Sequence, residues 1–214
     1  MNIHWNQYVD HIYCISHERN KYRHADLIDT LKYANIFDSD IFKFIVSHDI
    51  EYNYCNLHNT TQSIYLDCIQ HNYERILILE DDIRIIKDEL TIINHLNNLP
   101  SNFDVCLLDY QIPKEYIDVK LFNDDDQLYF KYDYLYSTAA YVTTLDSCKK
   151  FIGCKYAGKP LDILFSEFFD NKFASKQNIF VQYEYSNRIA QTFDTKNNYI
   201  NRNKLNLDNY YNYN

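Results

Sequence analysis

The first half of the chain alternates between two periods. HIYCIS (11–16), FKFIVSH (42–48), RILIL (75–79) and DVCLLDY (104–110) are short apolar runs of strand length. Segments of helical period separate them. RNKYRHADLIDTLKYAN (19–35) carries Tyr22, Ala25, Ile28 and Leu31 at spacing three. TTQSIYLDCIQHN (60–72) turns Ile64, Cys68 and Ile69 inward, and IIKDELTIINHLNN (85–98) stops at Pro100. A parallel strand pair needs a long crossover, usually a helix, so this alternation predicts a mostly parallel α/β sheet with helices on both faces.

The second half changes character. YFKYDYLYS (129–137) and TAAYVTT (138–144) read as antiparallel strands. LDSCKKFIG (145–153) reads as a helix capped by Asp146, PLDILFSEFFDNK (160–172) as another helix, and NIFVQYE (178–184) as a last strand. From Thr195 the chain is rich in Asn and Tyr and has no period. The expectation is one domain over residues 1–194 and a tail over 195–214.

RILIL runs directly into Glu80, Asp81 and Asp82. Like charges in a row repel, and a buried strand holds them in place, so something is expected to neutralise them. In open parallel sheets ligands collect where strands end. The polar groups Ser16, His17, Glu18 and Arg19 after the first run, and Asp109 after the fourth, fall at the same edge. In an extended chain the first and third of three residues share a side, so Glu80 and Asp82 are expected to share one ligand site. Mg²⁺ or Mn²⁺ accepts one or two carboxylates and completes its shell with water and ligand phosphates. This resembles the DxD signature of nucleotide-sugar transferases, with one carboxylate near the ribose and the other on the metal. Helix capping is the competing reading for Asp82. Asp124, Asp125 and Asp126 follow no buried strand and read as a solvated loop.

Bulk properties exclude several classes. The net charge is −9 with no basic patch, which disfavours nucleic acid and anionic membrane as partners. The chain has only 2 glycines, which removes the Walker phosphate loop and the GxGxxG dinucleotide fingerprint. No CxxC pair occurs among the 6 cysteines, which read as reduced thiols and point to a cytoplasmic setting. No signal peptide and no run of about twenty apolar residues is apparent. The 22 tyrosines and the surplus of Asn fit an AT-rich genome.

The ordered blocks resemble glycosyltransferase family 25. ISHERNKYR (15–23) is similar to its opening motif, with Ile15, Arg19 and Arg23 in place and Ser16 and His17 departing from it. ILILEDDI matches its acidic segment, FDVCLLD its next strand, and AAYVTTLDSCKKFI with KPLDILF a later block that contains Asp162. RIAQ, with Gln191, fits a last short motif. The family's Cys-x-x-Ser-His block is altered to CNLHNTT (55–61). The resemblance implies a GT-A-like, Rossmann-like fold and an inverting transfer of galactose or glucose from a UDP-sugar, with Mn²⁺ or Mg²⁺. The acceptor would be a hydroxyl on a glycan or protein. It implies Asp162 as catalytic base, Asp82 and Glu80 at the metal, and Glu80, Asp81, Arg19 and Arg23 at the donor. The composition is compatible with a large DNA virus, hence host cytoplasm or virion, and the Tyr-rich surface with a homodimer. Two rival readings use the same residues: a Mg²⁺-dependent phosphohydrolase, and a non-catalytic binding or assembly protein on a transferase fold.

Overall fold

The computed structural model describes residues 1–47, 54–113, 128–182 and 199–201. Strands β1 (His11–His17), β2 (Phe42–Ser47) and β3 (Arg75–Glu80) form the first three expected strands and run parallel. Beyond β4 (Ile83–Ile85) come β5 (Val105–Leu107), β6 (Gln111–Pro113), β7 (Tyr129–Lys131), β8 (Ala140–Thr144) and β9 (Lys172–Ser175). The main sheet has seven strands in the order β2-β1-β3-β8-β5-β9-β7. β8 is antiparallel to both of its neighbours, β7 is antiparallel to β9, and the other pairs are parallel. The expected fold class therefore holds: a mostly parallel α/β sheet whose second half brings in antiparallel strands.

Both faces are covered, which is why the strands read as unbroken apolar runs. Along β3, Leu77 and Leu79 join Cys14, Leu27, Leu31, Ile92 and Phe180 on one face. Ile76 and Ile78 join Tyr13, Ile64, Tyr65, Phe151 and Phe165 on the other. Helices α1 (His24–Tyr33) and α3 (Glu89–Asn97) serve the first face; α2 (Tyr54–His71), α4 (Leu145–Phe151) and α5 (Leu161–Phe168) serve the second.

Several expectations are corrected locally. The first helix is split: Glu18–Arg23 is a 3₁₀ turn, started by His17 Nδ1 accepting the Arg19 N–H, before α1 begins. Ile85 is in β4, paired with β10 (Phe180–Gln182), and α3 starts only after Asp88 accepts the Thr91 N–H. Thr144, not Asp146, caps α4, because its hydroxyl reaches the Ser147 N–H. The expected strand 129–137 is regular only to Lys131, with a single bridge from Tyr136 to Gln111. Lys172, read as the end of a helix, begins β9. Within the expected tail, β11 (Tyr199–Asn201) pairs antiparallel with β6. Asp124 to Asp126, Gln191 and Asp194 lie outside the described residues.

Candidate functional site

The parallel register sets the first part of the site. Ile15 on β1 stands opposite Glu80 on β3, so Ser16 arrives beside Asp81. The Ser16 hydroxyl donates to Asp81 Oδ2 at 2.5 Å, and the Asn20 amide donates to the same oxygen at 2.9 Å. Arg23 Nη1 donates to Asp81 Oδ1 at 3.1 Å and lies 3.6 Å from Asp82 Oδ2. His24 Nε2 meets the Ser16 hydroxyl at 2.8 Å. Asp81 is thus consumed by the turn that follows β1. It anchors that turn, and Arg23 is a buried counter-ion to the acidic strand end. Arg19 is exposed and offers its backbone N–H to His17.

Glu80 accepts the Thr138 hydroxyl at 3.1 Å. Burial, then the charge of Asp82, pushes the Glu80 carboxyl up to about 8. Burial, then the charge of Asp81, pushes Asp82 up to about 6, with Arg23 opposing. Among the described residues Asp82 Oδ1 is buried without a hydrogen-bond partner. A buried carboxylate oxygen left unpaired is costly, and a hard cation is the natural partner for it. The described residues supply no ready set of three or more His, Cys, Asp or Glu ligands. Asp82, with Glu80 beside it, therefore fits a cation that takes the rest of its shell from water and a diphosphate, the usual habit of Mg²⁺. An open cleft lies beside Glu80, lined by Ser16, His17, Asn20, Asn56 and Thr60 among others.

The second part of the site follows from the direction of β8. Because β8 is antiparallel, it enters the sheet at the edge where β3 and β5 end. The residues leading into it, Ser137 and Thr138, therefore meet the strand-end carboxylates. Asp109 accepts the Ser137 hydroxyl at 2.9 Å and the Asn178 amide at 3.4 Å, and burial pushes its carboxyl up to about 7. Asp162 accepts the Ser137 N–H at 3.1 Å and the Ile163 N–H at 2.8 Å; burial raises its pKa, and these two N–H groups oppose the rise. Pro160, not Asp162, is the N-cap residue of α5. Asp162 also contributes to the field that raises Glu80, so the two carboxyls share one electrostatic environment.

Glu80, Asp82, Asp109 and Asp162 are thus gathered at one edge, while Arg19 is not drawn into the network. Sequence reasoning missed Asn20, Ser137, Thr138 and Asn178. The one usable signal was position, since Ser137 and Thr138 directly precede a buried strand. Their partners depend on pairings distant in sequence.

The fold resembles solved structures at low sequence identity. A197 from STIV matches with a TM-score of 0.50 and 12% identity, over 77% of this chain and 81% of that one. At that identity the likeness is one of fold alone. A glycosyltransferase involved in the glycosylation of the major capsid of PBCV-1 matches at 0.48 and 10% identity, over 80% of this chain and 93% of that one. UDP-glucose pyrophosphorylase complexed with UDP-glucose matches at 0.41 and 10% identity, over 78% and 73%. No protein-family model and no curated protein matches the chain. Among the described residues no helix is long and apolar enough to cross a membrane.

Proposed function

We propose that the chain is a glycosyltransferase that moves a hexose from a UDP-sugar to a hydroxyl on a glycan or protein. The observation that carries this reading is the pair of carboxylates at the end of β3, Asp82 buried and Glu80 half-buried. Burial first, and then neighbouring carboxylates, raises both; Asp82 carries an unpartnered oxygen, Glu80 lines the open cleft, and Asp162 adds to the field that raises Glu80. Such a site is complete only when positive charge and a diphosphate enter together. Asp82 and Glu80 would hold Mn²⁺ or Mg²⁺, which supplies positive charge against the leaving diphosphate. Asp81 and Arg23 keep the turn after β1 closed on the strand end. Asp162 takes the proton of the acceptor hydroxyl, the role that an inverting transfer requires of a carboxylate. The motif blocks shared with glycosyltransferase family 25 support the hexose and the hydroxyl acceptor, and with no family-model match they stand alone in doing so.

Thermal-shift measurements with UDP, GDP, ADP and CMP, each with and without Mn²⁺, test the reading. UDP with Mn²⁺ should raise the melting temperature more than any other pair. Asp82→Asn should stay folded and lose that response. No shift with any nucleotide would instead favour a non-catalytic binding protein. Release of phosphate without an acceptor would favour a phosphohydrolase.

A further inference from the structure

Ser137 has φ +83°, a left-handed value that residues other than glycine rarely adopt. Strain of this kind persists only where the surroundings impose it. Here the surroundings are the strand-end carboxylates. The Ser137 hydroxyl donates to Asp109 Oδ2 at 2.9 Å and accepts the Ala139 N–H at 3.2 Å. Its backbone N–H points the other way, to Asp162 Oδ2 at 3.1 Å. The next residue, Thr138, donates to Glu80 Oε1 at 3.1 Å, and the Ala139 carbonyl accepts the Glu80 N–H at 2.8 Å. Ser137 and Asp109 are both buried, so water does not compete for these bonds. A left-handed residue is what allows one side chain and its own N–H to reach carboxylates on β5 and α5 while its neighbour holds β3.

We propose that the Ser137–Thr138 turn fixes Asp162 relative to Glu80, with Ser137 as the positioning residue that aims the Asp162 carboxylate at the acceptor oxygen. The inference rests on the transferase reading and deepens it. Asp109 is the anchor: it holds the Ser137 hydroxyl and thereby the direction of the Ser137 N–H. Without the anchor the Ser137 N–H turns away and Asp162 loses its aim, while Thr138 and the Ala139 carbonyl still hold Glu80 on the donor side.

The test uses UDP-glucose and UDP-galactose with water as acceptor. The water oxygen bonds to the anomeric carbon, and the bond from that carbon to the β-phosphate oxygen breaks with its electron pair left on UDP. The water proton passes to Asp162, giving UDP and free hexose. Ser137→Gly suits the left-handed backbone and deletes the whole side chain; Ser137→Ala deletes only the hydroxyl and keeps the Cβ. Both variants should bind UDP with Mn²⁺ and show donor KM as the parent does, while kcat for cleavage falls by about 10- to 100-fold, the scale of a misplaced reacting group. Cleavage by both variants at the parental rate overturns the inference alone. Loss of UDP binding together with stability also overturns it, because Ser137 would then support the cleft in general. A parent protein that neither binds nor cleaves either donor overturns the transferase reading, and the inference with it.

Discussion

Asp162 is the residue at which a catalytic and a purely structural role part. Each of its oxygens accepts one backbone N–H, from Ile163 and from Ser137. Asparagine keeps the size but has one accepting oxygen, and its amide nitrogen would face an N–H donor. Asp162→Asn should therefore cost about 1–3 kcal/mol of stability, the usual penalty for an unsatisfied buried group. If Asp162 is the base, transfer should also fall by about 10²–10⁴-fold, with UDP and Mn²⁺ affinity retained. Donor affinity by calorimetry and transfer rate on one preparation separate the cases. A stability loss without a rate loss leaves Asp162 as a local staple.

At the scale of elements, β11 sits on β6 as an antiparallel pair of three-residue strands, separate from the main sheet. Two short strands with no third are marginal in water. Ending the chain after Asp194 should lower the melting temperature by no more than a degree or two, about the effect of half a kcal/mol on a chain of this size. A larger drop in a thermal scan would show that the tail carries part of the fold. Which elements were legible in the sequence follows the same logic. β1, β3 and α2 are long and apolar on a clear period, so they could be read, and the carboxylates at the end of β3 with them. β4 and β9 have three and four residues, too few to show a period; β10 was legible within NIFVQYE, but its pairing with β4 is distant in sequence and was not. The site divides in the same way. Glu80, Asp82 and Asp162 were visible as residue types in place. The paired state of Arg23, the spent oxygens of Asp81 and the left-handed Ser137 arise from tertiary contacts that no local pattern encodes.

Taken over the whole molecule, the gathered carboxyls make stability depend on pH in a direction opposite to ordinary acid denaturation. Glu80, Asp82 and Asp109 are raised to about 8, 6 and 7, in each case first by burial. A carboxyl raised on folding stabilises the protein while it is protonated in both states, and that contribution is lost as pH rises from the unfolded value through the folded one. The window here runs from about pH 4 to 8. On the acid side Asp104 acts the other way: burial is outweighed by the Lys150 ammonium and the Asn171 N–H, so it is held low and its contribution disappears as pH falls below the ordinary carboxylate range. The metal-free protein should thus be most stable near pH 5 and lose stability towards pH 8. Asp109 isolates the effect, since it is buried, bears no proposed role at the cation, and keeps an accepting oxygen for Ser137 when replaced by asparagine. Ionising it in place costs on the order of 4 kcal/mol. Asp109→Asn should raise the melting temperature at pH 8 by several degrees and leave it nearly unchanged at pH 5. Equal shifts at both pH values would mean that Asp109 is already ionised at low pH, and that Asn178 and Ser137 stabilise its charge more than burial opposes it. Mn²⁺ with UDP should flatten the parent's decline towards pH 8, because positive charge entering the cleft replaces the protons that Glu80 and Asp82 give up.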